Sequence, residues 1–201
     1  MSYQVFKVLF LGESGVGKSS LIDRYFNDKF DEKIIKTLST SSLTKEIKYS
    51  GRKYHFKIFD TPGKQDLRDL TKNIMKDVRI VILVYDITVK SSFLELQYWL
   101  DLILESHPDT HLILVGNKHD LSINRKIKES VGLKFAEIIK AEFTEISAKD
   151  NYGWKNFLDN AFNNYIVYAN KKEEDEEKED YLSDDFDDER YNWELNDALR
   201  I

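Results

Sequence analysis

The feature that most constrains this chain is a glycine-rich segment near its start, residues 12–19, which reads GESGVGKS. It matches the pattern G-x-x-x-x-G-K-[ST] and lies between an apolar run that predicts a buried strand (3–11) and a segment that predicts a helix (18–26). Glycines at three of its positions permit positive φ, so backbone N–H groups can turn toward a phosphate. The segment predicts a phosphate-binding loop; the alternative is a glycine-rich turn that matches by chance.

Two side chains at the end of this loop offer groups for binding a phosphate and a metal ion: a positive charge and a hydroxyl oxygen. Lys18 would supply a point charge to the β and γ phosphates, and the Ser19 hydroxyl would be a ligand for Mg²⁺. The start of the following helix would add partial positive charge. The backbone contacts are expected from the rest of the loop: Glu13, Ser14, Gly15, Val16 and Gly17.

Apolar runs alternate with amphipathic segments along the rest of the chain. Further strands are predicted at 44–49 and 54–59, joined as a hairpin, and at 79–85, 111–115 and 143–146. One predicted helix opens at Ser91 and carries Phe93, Leu96, Leu100 and Leu104; the others have apolar faces made by Val131, Phe135, Ile138 and Ile139, and by Trp154, Phe157, Leu158, Ala161, Phe162 and Tyr165. The order predicts an α/β fold with a mostly parallel sheet, one antiparallel edge strand and helices on both faces.

Polar motifs follow three of these strands, where ligands bind in such sheets. The first, Asp60-Thr-Pro-Gly63, offers a carboxylate for indirect Mg²⁺ binding and a Gly63 N–H for a γ-phosphate. By itself the motif also fits an ordinary turn. Its position at a strand end, 48 residues after the loop, favours the functional interpretation.

The second motif, Asn117-Lys-His-Asp120, is the candidate base-reading element. The Asp120 carboxylate can accept hydrogen bonds from N1–H and the 2-amino group of guanine, whereas adenine would leave it unpaired. Such sites reject the wrong ligand by roughly 10⁴-fold. Asn117 would hold the loops together, and the Lys118 stem would lie along the base; a solvated turn is the alternative.

The third motif, Ser147-Ala148-Lys149, follows the last predicted strand. The Ala148 N–H is a candidate donor to guanine O6. Three residues are a short pattern that also fits a polar helix cap, so the motif adds support through its place in the order.

Because these four motifs occur in this order, residues 1–170 resemble the Ras-superfamily small GTPases, and the Rab branch most closely. The segments VILVYDIT at 81–88 and LVGNKHDL at 114–121 also resemble the Rab branch. The resemblance implies a P-loop G domain with a six-stranded sheet and five helices that binds GTP or GDP with Mg²⁺. It also implies that Thr37 is a Mg²⁺ ligand in the GTP state. Phe30 would lie against the guanine edge, and Ser20 would meet the α-phosphate.

The chain departs from the family where catalysis is expected. Lys64 occupies the position of the water-orienting glutamine, and Gln65 follows one residue later. A lysine ammonium only donates hydrogen bonds, whereas a glutamine amide also accepts them. Because phosphoryl transfer depends on positioning, we predict slow GTP hydrolysis, with Lys18, Thr37 and Gly63 still contacting the phosphates. A register shift that brings Gln65 into place and a partner that supplies the missing group are the alternatives.

Residues 171–201 differ in composition from the remainder. Residues 1–170 carry a net charge of +3, and the last 31 residues carry −9. We expect this acidic segment to be a flexible tail, or else a short interaction segment. The chain has no cysteine and no long apolar run, so we expect a cytoplasmic monomer without a direct lipid anchor that reaches membranes only through a partner.

The sequence thus predicts a GTP-binding switch that works with exchange, activating and effector proteins. The body lacks the basic surplus of a nucleic-acid binder. A non-cycling GTP-binding scaffold that recruits a partner through its acidic tail is the main alternative. An ATP-using P-loop kinase is disfavoured because Asp120 selects against adenine.

Overall fold

The computed structural model describes residues 3–32, 37–63, 71, 74–106, 109–151 and 153–184, and the chain divides into two compact units, residues 1–162 and 163–201. The described strands are β1 Gln4–Leu11, β2 Ser41–Tyr49, β3 Arg52–Asp60, β4 Val78–Asp86, β5 His111–Asn117 and β6 Glu142–Glu145. The described α-helices are α1 Lys18–Asn27, α2 Lys90–Leu94, α3 Leu96–Ser106, α4 Glu129–Ile138 and α5 Trp154–Asp184, with a 3-10 helix at His119–Asn124.

The six strands form one sheet in the order β2-β3-β1-β4-β5-β6. Strand β2 pairs antiparallel with β3, and the other neighbouring pairs are parallel. The predicted α/β architecture, with one antiparallel edge strand, is confirmed. Because β1, β3, β4 and β5 run in the same direction, the motifs that follow them meet at one edge of the sheet.

Alternation along β1 explains how the sheet is covered on both faces. Leu9 and Leu11 pack with β4 and with Trp99 of α3, all of them buried. On the other face, Phe10 makes an edge-to-face contact with Trp154 of α5, with ring centroids 6.1 Å apart. Successive side chains of a strand point to opposite faces, so one apolar run supplies both layers of the core.

Helix α4 buries only part of the predicted face, since Phe135 and Ile139 pack against the core and the other two predicted residues do not. Val131 is 45% exposed and Ile138 is 70% exposed, whereas Gly132 and Ala136 are buried. A Cβ on Gly132 would lie 2.9 Å from the edge of the Phe143 ring, so only a residue this small lets the helix approach the sheet closely. The prediction was wrong at Val131 and Ile138, because apolar periodicity identifies large side chains and the closest contact of this helix requires small ones.

The helix predicted to open at Ser91 is divided in the structure. Helices α2 and α3 are separated by Glu95, and Leu104 is half exposed instead of packed.

Helix α5 continues past the expected boundary at residue 170, as far as Asp184. In the second unit, the rings of Tyr165 and Tyr168 lie 5.9 Å apart. Among the described helices, none combines the length and the apolar character that a membrane span requires.

Candidate functional site

The glycine-rich loop takes backbone conformations that its glycines make possible. Gly12, Gly15 and Gly17 have φ values of 138°, 86° and 100°. A Cβ on Gly12 would overlap the carbonyl oxygen of Val84, and one on Gly17 would overlap the amide of Asn117. The loop therefore needs glycine at these two positions both for its backbone conformation and for its close fit against neighbouring strands.

Lys18, the first residue of α1, is buried and folds back over the loop. Its Nζ donates hydrogen bonds to the carbonyl oxygens of Gly12 at 2.7 Å and Glu13 at 3.0 Å. Burial lowers the pKa of Lys18 to about 8, with the negative charges of Asp60 and Glu13 partly opposing this shift. A buried ammonium with incomplete charge compensation is well suited to meet an anionic ligand.

Three oxygen-bearing side chains converge beside this lysine. Ser19 Oγ donates to Asp60 Oδ2 at 2.5 Å and lies 2.8 Å from Thr37 Oγ1. Asp60 Oδ1 is buried and has no hydrogen-bond partner among the described residues, and burial raises the pKa of this carboxyl. Carboxylate and hydroxyl oxygens are the ligands that Mg²⁺ accepts, so this donor set, with its unpaired oxygen, fits the ion.

The magnesium ligands would have to include oxygens from outside the protein. Across the described ranges, no cluster of three or more histidine, aspartate or glutamate side chains is arranged to hold a metal ion. Mg²⁺ commonly uses one or two carboxylates together with substrate phosphates and waters. The geometry therefore matches a cation held jointly with a phosphate ligand.

Asn117 links the three loops at the edge of the sheet. Its Nδ2 donates to the Val16 carbonyl at 2.8 Å, and its Oδ1 accepts from the Ala148 N–H at 3.2 Å. The side chain is nearly inaccessible to solvent, with 2% exposure. The expected role of Asn117 as a connector matches this geometry, and the Ala148 N–H that was expected to face guanine O6 is engaged by Asn117 in this structure.

Asp120 and Lys118 are each held by a polar partner. Ser147 Oγ donates to Asp120 Oδ1 at 2.7 Å, which fixes the carboxylate and leaves Oδ2 and the second lone pair of Oδ1 to accept from a ligand. Lys118 has a positive φ of 68°, and its Nζ lies 2.6 Å from Asp86 Oδ2. The ion pair draws the lysine head away, so the stem of Lys118 lines the site.

A cavity of about 1070 Å³ connects these groups. Of the predicted residues, those along its wall are Ser14, Gly15, Gly17, Lys18, Ser19, Ser20, Phe30, Thr37, Gly63, Asn117, Lys118, Asp120, Ala148 and Lys149. Glu13, Val16, Asp60 and Ser147 support this wall from behind through the contacts given above. Lys64 and Gln65 lie outside the described residues. The volume lies just above the range of about 300–1,000 Å³ that is usual for small-molecule sites, so the cavity has room for an elongated ligand.

Two residues that sequence reasoning missed complete the site. Asp86 ends β4 directly opposite Asn117 of β5, and its position at a strand end was an available signal. Arg24, on α1, donates from Nε to the Ala148 carbonyl at 2.8 Å and from Nη2 to the Lys149 carbonyl at 2.9 Å. Nothing in the sequence around Arg24 indicates its contact with Ala148, which lies 124 positions later.

Comparison with known proteins decides the family. The profile of the family described as "Ras family" matches residues 7–167. The chain is also 37% identical over 148 residues to Ras-related protein Rab-12 of Mus musculus and 40% identical over 150 residues to Ras-related protein Rab-18-B of Danio rerio. The chain belongs to the Ras family, on its Rab branch. The resemblance predicted from the four motifs is thereby confirmed.

Coverage of these Rab relatives differs. The alignment covers 73% of this chain in both cases, with 61% of the mouse Rab-12 and 72% of the zebrafish Rab-18-B. The chain therefore spans about 61% of the length of the Rab-12 relatives. What it binds and which reaction it catalyses are argued below from its own residues.

Proposed function

We propose that this Ras-family chain is a guanine-nucleotide switch that binds GTP and GDP with Mg²⁺ and hydrolyses GTP slowly. The observation that carries the proposal is that one cavity is lined by the glycine-rich loop, by Thr37 and Gly63, and by Asp120. Phosphate-binding and base-reading groups thus face the same ligand-sized space. The switch would act in membrane traffic, the role implied by the Rab resemblance, through exchange, activating and effector proteins that bind the monomer.

At the phosphate end, the chain's own groups would compensate the negative charge. Lys18 would exchange its carbonyl partners for phosphate oxygens, which satisfy a buried ammonium better because they are charged. The loop N–H groups and the start of α1 would add further donors and partial charge. Ser19, Thr37 and Asp60 would hold Mg²⁺, which supplies neutralisation of charge on the β and γ phosphates.

At the base end, Asp120 would decide which nucleotide binds. Ser147 holds one carboxylate oxygen at 2.7 Å, so the carboxylate is oriented before a ligand arrives. Guanine presents two donors to this group and adenine does not, so an adenine nucleotide would leave a carboxylate unpaired. The Ala148 N–H makes a long bond of 3.2 Å to Asn117, and we expect it to be shared with guanine O6.

Thr37 and Gly63 would report the state of the nucleotide. Gly63 packs so closely against the loop that an added Cβ would lie 2.5 Å from Ser14 N and 2.6 Å from Lys18 Nζ. Its backbone is therefore adjacent to the place where a γ-phosphate would bind. Loss of that phosphate would remove a contact from both residues, which is the order–disorder change by which such switches signal.

The slow rate rests on Lys64, and one experiment tests it. Single-turnover hydrolysis with Mg²⁺ is measured for wild type, Lys64→Gln and Lys64→Ala. The glutamine amide can orient water by accepting a hydrogen bond from it, whereas neither a lysine ammonium nor an alanine side chain can accept one. We therefore expect Lys64→Gln to hydrolyse GTP at least tenfold faster than wild type, and Lys64→Ala to stay close to wild type.

The same assay separates the alternatives. Wild-type turnover as fast as that of Lys64→Gln, slowed by Gln65→Ala, would show that Gln65 has taken over and that slow hydrolysis is wrong. Retention of GTP by all variants would favour the non-cycling scaffold, for which the −9 charge of residues 171–201 offers an attachment segment. Absence of bound guanine nucleotide would contradict both functions.

A further inference from the structure

Arg24 joins the two walls of the cavity at its base end. Its guanidinium makes hydrogen bonds to the carbonyl oxygens of Ala148 and Lys149, at 2.8 and 2.9 Å, and from Nη1 to Asp28 O at 2.8 Å and Asp28 Oδ1 at 3.0 Å. The Arg24 side chain is 12% exposed, and its bond to the Ala148 carbonyl is partly buried, whereas its bonds to Asp28 and to the Lys149 carbonyl lie at the surface. A charge-assisted bond that is partly shielded from water is stronger than a neutral one, so the bond to Ala148 contributes most.

Arg24 connects two segments that contribute to the cavity wall: Asp28 lies between the lining residues Asn27 and Lys29, and Ala148 and Lys149 line the cavity themselves. Asp28 caps α1 with a left-handed backbone, φ 52°, and begins the segment that carries Phe30. Ala148 and Lys149 belong to the loop that follows β6. Asn151 extends the link, since its Nδ2 donates to Asp28 Oδ1 at 2.8 Å. A single planar side chain thus ties the end of α1 to the loop that follows β6.

A second link crosses the same opening but is weaker. Lys149 Nζ lies 2.8 Å from Glu32 Oε1, and these side chains are 51% and 75% exposed. Exposed ion pairs contribute little because water and salt screen them. Arg24 is therefore the stronger of the two links.

We infer that Arg24 is a positioning residue that sets how long a guanine nucleotide stays bound, by holding the 148–149 backbone against α1. The inference rests on the proposed function. A base seated between the walls leaves only when they separate, and separation breaks the hydrogen bonds that Arg24 makes. Arginine is suited to this task because its rigid fork reaches two carbonyls at once, which a lysine ammonium on a flexible stem does not.

The test is the dissociation rate of a fluorescent GDP analogue, chased with excess GDP, in the full chain. We expect Arg24→Ala to release the analogue about tenfold faster than wild type, and Arg24→Lys about threefold faster. Arg79, an exposed residue at the start of β4, provides the matched control. Arg79→Ala should release the analogue at the wild-type rate.

A second readout separates positioning from a general loss of structure. Arg24 acts at the base end, and chelation of Mg²⁺ acts at the phosphate end, so independent effects multiply. The factor by which chelation accelerates release should therefore be the same in wild type and Arg24→Ala. The urea concentration at the midpoint of unfolding, measured for the Mg²⁺–GDP complex and compared with wild type, identifies a variant whose fold is destabilised.

The outcomes are distinguishable. A wild-type chain that does not bind the analogue contradicts the proposed function. If wild type binds and Arg24→Ala releases within twofold of it, the inference about Arg24 is wrong and the proposed function stands. If Arg24→Ala does not fold, Arg24→Lys decides: release at the wild-type rate overturns the inference, and a threefold increase without altered chelation sensitivity supports it.

Discussion

Asp86 and Lys118 form an ion pair of 2.6 Å between the end of β4 and the residue that follows β5. Asp86 is buried, and its other oxygen accepts from the Thr88 N–H at 2.8 Å and hydroxyl at 2.7 Å. The carboxylate is thus held by the turn that directly follows its strand, as well as by Lys118. This arrangement holds a lysine with positive φ in the orientation in which its stem lines the cavity.

Removing the charge of Asp86 should weaken nucleotide binding without unfolding the chain. Asp86→Asn keeps the shape and loses the ion pair, so the Lys118 stem is less well held. We expect GDP affinity to fall about tenfold, or about 1.4 kcal/mol. Equilibrium titration with fluorescent GDP checks this value. Asp101→Asn, at an exposed position on α3, is the control, and equal affinities for the two variants would contradict the assignment.

Gly17 and Gly15 offer a matched pair of substitutions in the glycine-rich loop. Both have positive φ, but an added Cβ on Gly15 meets nothing within 4 Å, whereas one on Gly17 overlaps the Asn117 amide. In each alanine variant, the positive φ should lower the free energy of unfolding by about 1–2 kcal/mol. Gly17→Ala should lose about 2 kcal/mol more, because Asn117 must move. Urea unfolding of the nucleotide-free protein measures the difference, and equal losses would refute the contact.

Gly132 should resist replacement by alanine even though it lies within a helix. Alanine normally stabilises a helix by about 1 kcal/mol relative to glycine. Here the added Cβ would overlap the Tyr85 hydroxyl and approach the Phe143 ring, so we expect Gly132→Ala to destabilise the fold by about 2 kcal/mol. Adding Tyr85→Phe should recover at least half of this loss. A stabilising Gly132→Ala, measured beside the exposed control Lys134→Ala, would show that α4 is packed differently.

Lys18 should make the nucleotide-free protein more stable at alkaline pH. Burial lowers its pKa to about 8 from the ordinary 10.5, so the folded state holds fewer protons than the unfolded chain between these values. Stability attributable to Lys18 therefore rises with pH across that window. We expect a gain of about 2 kcal/mol between pH 7 and pH 10 relative to Lys18→Met. The free energy of urea unfolding gives this value, and a fall with pH would contradict the burial.

Much of the fold could be predicted because its signals are local. The strand at 79–85 is a continuous apolar run, and β4 is buried over almost all of its length. The glycine-rich loop is equally local, since its glycines and Lys18 are consecutive in sequence. Such segments specify their own conformation. Because the strands are parallel, the loops that follow them meet at one edge of the sheet.

The contacts that could not be predicted depend on partners that are distant in the sequence. Whether Val131 or Gly132 faces the sheet is decided by the Tyr85 ring, which no periodicity within α4 can indicate. The contacts of Arg24 likewise depend on two carbonyls near the other end of the G domain. Backbone acceptors carry no side-chain signature, so a sequence pattern cannot identify them.

The most direct test of the guanine-nucleotide site is a change of base preference at Asp120. Asn in this position donates to the C2 oxygen of xanthine and still accepts from N1–H, while it loses the bond to the guanine 2-amino group. We predict that Asp120→Asn lowers GDP affinity at least 100-fold and makes xanthosine diphosphate the preferred ligand, with Ser147 still holding the side chain. Unchanged GDP affinity, with no gain for xanthosine diphosphate, would contradict the account.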